Sequence, residues 1–355
     1  MTASMRRQES TGVRLRAIDL FSGCGGLTLG LKLAGFSVVG AVECDDLSVE
    51  SYRLNHPDTI VWQRDIRKVA VRKVMRRLGL KPGQLDLLAG CPPCQGFSAL
   101  PRLNGGRRIR NPRQKDLVFE FLRFVRVLRP KFIMLENVPG LAKDRRMRLL
   151  LRELRQLGYE CEWRILDAAH YEVPQRRHRV ILLGGRGGPP PFARPSPKQV
   201  TVRHAIGSLP RAGSSGDPLH DLPETRSHKV RDLIRRIPKN GGSRSHLGRR
   251  DQLGCHKRCD GFSDIYGRMA WNDVAPTITS GFVNPSKGRF LHPSCNRAIT
   301  LREGALLQTF PRRYAICLTE GKYRAAELIG NALPPTLIRR LAGPIVAQLR
   351  PRPST

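Results

Sequence analysis

The residues best suited to chemistry fall into short clusters, each beside an apolar run. One is Gly90-Cys91-Pro92-Pro93-Cys94-Gln95-Gly96-Phe97-Ser98. Its two prolines restrict the backbone and its glycine allows a sharp loop. A thiol there is held at a fixed position, as a nucleophile requires. Cys91-x-x-Cys94 also has the spacing of a redox pair or half a zinc site. However, no second close Cys pair with structural-zinc spacing follows nearby, and paired prolines are unusual in a redox loop. A second cluster is Leu135-Glu136-Asn137-Val138-Pro139. Glu136 reads either as a general acid whose pKa is raised by burial, or as a helix-capping or salt-bridged carboxylate. A third is Pro174-Gln175-Arg176-Arg177-His178-Arg179. In extended backbone Gln175, Arg177 and Arg179 share one face. They can converge on a phosphate, a base edge or a carboxylate, or form a solvated basic edge.

Asp19-Leu20-Phe21-Ser22-Gly23-Cys24-Gly25-Gly26 opens a helix after an apolar run. Its glycines let the backbone turn tightly and approach a ligand that meets the helix N-terminus. Such a turn is weak evidence by itself. One strand later, Glu43 is either an acceptor for two ribose hydroxyls or an exposed carboxylate starting a helix. Asp65 can contact an adenine amino group or cap the helix after it. Taken jointly, a cofactor loop, a thiol, a carboxyl and an Arg pair stand at successive strand ends.

The elements that must position these groups alternate in type. Residues 15–21, 37–42, 85–89, 131–135 and 179–183 read as strands, with a further strand before Asp65. Residues 26–34, 45–55, 65–78 and 116–128 read as helices; Leu117, Phe121, Phe124 and Leu128 line one face of the last. Arg145, Arg146, Arg148 and Arg152 belong to an outer helix. Alternation of this kind predicts a parallel α/β sheet with ligands at the carboxyl ends of its strands. Composition changes near Gly184, and residues 184–197 read as a Gly/Pro linker. A polar, basic, weakly periodic region follows, β-like only in short stretches such as 277–283. Helical periodicity returns at 300–308 and 335–349.

The chain has 355 residues, with 63 Lys and Arg against 29 Asp and Glu, a net charge of +34. That excludes an ordinary neutral metabolic enzyme as the default and points to a polyanionic partner, with part of the arginine excess purely compositional. It predicts steeply salt-dependent, mostly non-specific affinity for such a partner. At 40% hydrophobic the chain can bury a full core. No apolar run is long enough to span a membrane, no apolar signal core marks residues 1–16, and nine cysteines read as reduced thiols in a cytosol.

These motifs, in their order, resemble the DNA (cytosine-5)-methyltransferases over about residues 15–345. Asp19 to Gly26 matches the S-adenosyl-L-methionine loop, Glu43 the ribose-binding acid and Asp65 the adenine-contacting position. Pro93-Cys94-Gln95 matches the catalytic Pro-Cys-Gln, Glu136-Asn137-Val138 the catalytic Glu-Asn-Val, and Gln175-x-Arg177-x-Arg179 the Gln-x-Arg-x-Arg signature. Residues 297–311 look like the helix segment after the target-recognition domain, and Gly330-Asn331-Ala332-Leu333-Pro334-Pro335 is similar to the last motif. The resemblance implies an S-adenosyl-L-methionine-dependent, Rossmann-like α/β sheet with a smaller, variable target-recognition domain. The division is 14–186 catalytic and cofactor-binding, 187–325 target recognition, and 326–350 returning to the catalytic domain.

The same resemblance implies Cys94, Glu136, Arg177 and Arg179 as catalytic, with Cys94 as the nucleophile that adds to cytosine carbon 6. Glu136 then protonates or hydrogen-bonds ring N3, and Arg179 contacts the base carbonyl and steadies Glu136. Asp19, Phe21, Gly23, Gly25, Glu43, Asp65, Ile66, Pro92 and Asn331 are implied at the cofactor, and Gln95, Ser98 and Gln175 at DNA. The target base is flipped from duplex DNA. Cys44 departs from the aromatic many relatives carry, and Cys91 from a frequent Gly; Cys91 reads as a buried small residue. Tyr266, Trp271 and Phe282 read as core more readily than as stacking wedges. No metal is expected, a zinc site from Cys255, His256, Cys259 and Cys295 being the weaker reading. The expected enzyme is a cytoplasmic, nucleoid-associated prokaryotic monomer, either an orphan or paired with a restriction endonuclease that acts separately. An RNA cytosine methyltransferase and a catalytically silent DNA-binding relative are the alternatives.

Overall fold

The computed structural model describes residues 14–93, 117–248 and 264–350. Its frame is a seven-stranded sheet of β1 (Arg16–Leu20), β2 (Ser37–Glu43), β3 (Ile60–Gln63), β4 (Leu87–Gly90), β5 (Phe132–Asn137), β6 (Glu160–Asp167) and β7 (His178–Gly185), in the order β3-β2-β1-β4-β5-β7-β6. The pairs among β1 to β5 are parallel; β7 runs antiparallel to both β5 and β6. The chain winds outward from β1 to β3, then restarts at β4 on the other side of β1. This reversal opens a crevice at the carboxyl ends of β1 and β4, the switch point where open α/β sheets bind ligands.

The helices follow from their apolar spacing. They are α1 (Gly26–Ala34), α2 (Asp46–Asn55), α3 (Val71–Arg77), α4 (Leu117–Leu128), α5 (Arg145–Gln156), α6 (Val202–Ile206), α7 (Pro218–Asp221), α8 (His228–Arg236), α9 (Leu301–Leu307), α10 (Gly321–Asn331) and α11 (Pro335–Leu349). In α4 the expected stripe of Leu117, Phe121, Phe124 and Leu128 is buried against one side of the sheet. Burying each Phe contributes about 1.5–3 kcal/mol. α1 and α11 cover the other side with Leu27, Leu31, Leu337, Ile338 and Leu341. A third core joins Cys24 and Leu47 to Ile278, Phe282, Leu301, Ala305, Ala325 and Ile329, so the C-terminal third packs directly behind the Gly-rich loop. A small fourth core, Leu233, Ile234, Ile237, Tyr266 and Leu291, belongs to the variable region alone.

Several details differ from the sequence reading. Residues 65–78 break into a 3-10 turn, Ile66–Lys68, and α3, because Asp65 caps the turn and extended Val69 and Ala70 interrupt it. Residues 277–283 are not a strand: only Ala275 makes a bridge, to Gln175, and positions 280–283 form a turn. The linker is pinned, with Phe192 buried and Arg164 stacked over its ring at 4.7 Å. α10 passes through position 325, where the sequence suggests a boundary. Among the described residues no helix is long and apolar enough to cross a membrane.

Candidate active site

Strand register writes a row of functional groups along the carboxyl edge of the sheet. Val42 pairs with Leu20, Leu20 with Gly90, and Gly90 with Leu135. One residue further on, Glu43, Phe21, Cys91 and Glu136 therefore stand side by side. β7 approaches from the opposite direction, with Ile181 opposite Glu136. That brings Arg179 to the same carboxyl: its Nε lies 2.8 Å from Glu136 Oε1, and both side chains are at least 85% buried. Burial raises the Glu136 pKa, while Arg179, Arg177 and a hydrogen bond from the Cys91 thiol oppose the rise. Burial thus favours the protonated carboxyl, and the cations beside it favour the ionised one.

The alternation read at residues 175–179 is present, with Gln175 and Arg177 buried, Arg176 and His178 exposed. Inward groups here serve as joints. Arg177 Nη1 and Nη2 donate to the carbonyls of Ile278 and Gly330, each at 3.0 Å. Gln175 Nε2 donates to Leu307 O and Gln308 Oε1, while its Oε1 accepts from Ile278 N. Gln175 is thus wholly buried and, as folded, presents nothing to solvent. The joint needs Gly330, since a Cβ there would come within 2.3 Å of the Thr279 backbone.

The Gly-rich loop is braced from both sides. Glu43 Oε2 accepts from Gly23 N at 2.9 Å, and its Oε1 accepts from Cys44 N and Asp45 N. Two oxygens offer about four acceptor positions, so the carboxylate keeps capacity for a ligand hydroxyl. Behind the loop, Tyr314 Oη donates to Cys24 O at 2.6 Å and meets His56 Nε2 at 3.0 Å. Gly25 is required here: its φ is +96°, and a Cβ would lie 2.6 Å from both His56 and Tyr314. Burial depresses the His56 pKa to about 4, keeping the ring neutral.

Asp19 is completely buried. Thr28 Oγ1 donates to its Oδ2 at 2.7 Å and contacts Tyr52 Oη at 2.8 Å. Asp19 Oδ1 and Ser22 Oγ are buried and have no partner among the described residues. Desolvation, with a smaller contribution from the Glu43 charge, pushes the Asp19 carboxyl up to about 7 against the Thr28 bond. Two orphaned polar atoms beside a Gly-rich turn fit an absent polar ligand, as the loop of a cofactor site requires.

The other expected positions are dispersed around this core. Phe21 has a left-handed backbone, with φ of 60°. Asp65 accepts from Arg67 N and pairs with the Arg67 side chain, while Ile66 is buried. Pro92 is buried and its carbonyl accepts from Asn137 Nδ2 at 3.2 Å. Asn331 is exposed at the end of α10. Cys94, Gln95 and Ser98 lie outside the described residues, as do the Arg cluster 107–113 and Cys255, His256 and Cys259. Among the described residues no group of three or more His, Cys, Asp or Glu is placed to hold a metal, and Cys295 is exposed. Tyr266 and Phe282 are core residues; Trp271 is half-buried, its Nε1 donating to Ser294 Oγ. Arg244 is buried. Sequence reasoning missed Thr28, Tyr52, His56 and Tyr314. Each is an ordinary-looking residue whose role exists only because distant segments meet.

A family model described as C-5 cytosine-specific DNA methylase matches residues 15–347. The type II methylase M.HgiDII of Herpetosiphon aurantiacus is 35% identical over 342 residues, covering 92% of this chain and 93% of the relative. The type II methyltransferase M.XorII of Xanthomonas oryzae pv. oryzae is 31% identical, covering 95% and 85%. A crystal structure described as a candidate DNA modification methyltransferase from an E. coli prophage superposes with a TM-score of 0.69 at 25% identity, covering 94% of this chain and 99% of that one.

Proposed function

The chain belongs to the C-5 cytosine-specific DNA methylase family, and on that premise we propose that it methylates one cytosine within a specific duplex sequence, through a covalent bond from Cys94 to a flipped-out base. It is a DNA (cytosine-5)-methyltransferase, as its relatives are named. The observation that carries the mechanism is the buried Glu136–Arg179 pair, in register with the Gly-rich loop and three strand spacings from Glu43.

Cytosine carbon 5 is too poor a nucleophile to take a methyl group unaided. Addition of the Cys94 thiolate to carbon 6 makes carbon 5 enamine-like. Glu136 gives its proton, or a hydrogen bond, to ring N3 as charge develops there. Arg179 steadies that carboxyl and donates to the base carbonyl; Arg177 adds positive charge and ties the site to Gly330. A base later removes the carbon 5 proton, and the Cys94 thiolate leaves. Both faces of the pyrimidine must be reached, which requires the base out of the stack.

The residues present fit S-adenosyl-L-methionine: Asp19 Oδ1 is an unsatisfied anionic acceptor, Glu43 retains acceptor capacity, and Phe21 lines the turn. Gly23, Gly25, Asp65, Ile66, Pro92 and Asn331 complete the set assigned to it. When bound, the cofactor supplies an electrophilic methyl group. Gln95, Ser98 and Gln175 are assigned to the DNA side, Gln175 by fixing the 278 segment rather than by its own buried amide. The variable region reads the sequence. The type II names of the relatives favour an enzyme paired with a separate restriction endonuclease over an orphan; a monomer at the nucleoid of a prokaryotic cytoplasm is its expected form.

Bisulfite sequencing of host DNA after expression reads out the methylated site. Cys94→Ser should abolish methylation while leaving DNA binding, and should fail to form an adduct on a 5-fluorocytosine duplex that traps the parent enzyme. Substantial methylation by Cys94→Ser would refute the assignment.

A further inference from the structure

The sheet register sets Cys91 directly beside Glu136. Gly90 and Leu135 are paired on β4 and β5, so the two following residues leave the sheet as neighbours. They are held there on both sides. Cys91 N donates to Leu20 O at 3.2 Å, and Pro92 O accepts from Asn137 Nδ2 at 3.2 Å. The Cys91 side chain is half-buried against the apolar layer formed by Ala89, Met134 and their neighbours. Its thiol stands next to the Glu136 carboxyl and opposes the burial that raises that group's pKa, while Oε1 of the same carboxyl is engaged by Arg179 Nε.

We infer that Cys91 is a positioning residue for the acid: set beside Glu136 by the strand register, its thiol acts with the Arg179 guanidinium to fix the Glu136 carboxyl in place. The inference rests on the reading of Glu136 as the proton donor to the base. Its physics is simple. A thiol next to a carboxylate can only donate, so the contact favours the ionised form and offsets part of the desolvation that raises the pKa. A residue without a donor at position 91 leaves that offset to the arginines alone. Cys91 therefore acts in the same direction as Arg179, without a formal charge.

Among the described residues, the other charged groups that act on this carboxyl are Arg177 and Arg179, both cationic, and they remain in a Cys91 variant. Glu136 must be protonated to act, so activity falls on the alkaline side of its pKa. Removing the thiol raises that pKa and moves the alkaline limb upward.

The test is the pH dependence of single-turnover methylation by the full chain on its duplex, for the parent, Cys91→Ala, Cys91→Gly and Cys91→Ser. Both donor-free variants should move the alkaline limb up by about half to one pH unit. Cys91→Ser, which keeps an O–H donor, should restore the parental profile. Using two donor-free variants keeps the test alive should one of them fail to fold. A merely structural Cys91 would lower amplitude at every pH without moving the limb, and that result, or superimposable profiles, would overturn the inference. Glu136→Gln separates this from the underlying reading. If Glu136→Gln abolishes the limb while the Cys91 variants leave it in place, only the role of Cys91 fails. If Glu136→Gln is fully active, the assignment of Glu136 itself is wrong.

Discussion

Arg179 reaches Glu136 from the neighbouring antiparallel strand, with Nε 2.8 Å from Oε1, and both side chains are nearly out of solvent. A buried ion pair of this kind is weak evidence for stability, because desolving two charges offsets most of their attraction. It is better understood as a device that holds one carboxyl oxygen still and leaves the other to be used. Arg179→Ala removes the cation that most opposes the desolvation of Glu136. The carboxyl should then hold its proton to higher pH and lose its fixed orientation. The expected result is a fall of about 10²- to 10⁴-fold in the single-turnover rate. Affinity for duplex at fixed salt should change much less. Arg179→Lys should recover only part of the rate, since an ammonium keeps the charge but lacks the planar fork. A parental rate in Arg179→Ala would remove the pair from the mechanism.

Asp19 gives a prediction with the opposite character, in which loss of function accompanies gain of stability. Its carboxyl is pushed up to about 7 from 3.8, so the folded chain binds a proton there that the unfolded chain releases. The folded state is therefore progressively penalised as pH rises from about 4 to about 7, and the penalty is complete above that. Three pKa units set its ceiling at about 4 kcal/mol. His56 and His292 slope the other way: both are depressed to about 4 by burial, so their neutral forms favour the fold above pH 6.5 and that contribution is lost as pH falls towards 4. In the parent these trends partly cancel. Asp19→Asn deletes only the first. Its melting temperature should exceed the parent's at pH 8, match it near pH 4.5, and climb more steeply between. Calorimetric titration should show weakened binding of S-adenosyl-L-methionine, because the anionic Oδ1 is gone. A variant destabilised at pH 8 would contradict this account.

Much of the frame was legible because it depends on local pattern. The stripe on α4, the strands ending at Leu20, Glu43 and Gly90, and the alternation through Gln175, Arg177 and Arg179 each follow from period and burial alone. What period cannot say is what the inward face meets. Gln175 and Arg177 turn inward as expected, yet they meet backbone carbonyls of Leu307, Ile278 and Gly330 from a distant part of the chain. Several elements escaped the pattern: α6, α7 and α8 lie in a stretch read only as weakly periodic, and β6 and α10 were missed for other reasons. β6 is an edge strand in which Cys161, Trp163 and Ile165 alternate with Glu162 and Arg164, but Trp163 and Ile165 are exposed, so the alternation marks no buried face. α10 lies between Gly321 and Gly330 and concentrates its apolar residues in its second half, which reads as loop. The cofactor brace of Tyr52, His56 and Tyr314 was invisible because no local rule links positions 52 and 56 to 314.

Arg268 is the clearest case of a residue whose role only the assembled chain reveals, and it yields a prediction about the variable region alone. Among the described residues it is the largest fully buried side chain, and its hydrogen-bond acceptors there include no carboxylate. Nη2 and Nε donate to Ile234 O at 2.7 Å and Ile237 O at 3.1 Å, carbonyls that α8 leaves without helical partners at its C-terminal end. Its other bonds run to the carbonyls of His292 and Cys295 and to Asn296 Oδ1. One guanidinium thus ties α8 to the 292–296 segment beside the small core of Leu233, Ile234, Ile237, Tyr266 and Leu291. Arg268→Ala strands these acceptors in a dry interior, and a loss of about 3–5 kcal/mol is expected for the unit they hold. Arg268→Lys should be nearly as damaging, because three donors on one nitrogen cannot span acceptors spread around a planar fork. Neither of the two cores flanking the sheet includes a residue of this region beyond Ala193. The sheet should therefore survive, and so should the Gly-rich loop, because the third core behind it is separate from the small core that Arg268 braces. The expected phenotype is a split one, with early loss of structure in the variable region by hydrogen exchange and loss of specific duplex binding, but near-parental affinity for S-adenosyl-L-methionine. Equal loss of cofactor and DNA binding would mean that the two regions fold as one unit, and an unchanged exchange pattern would mean that Arg268 holds nothing together.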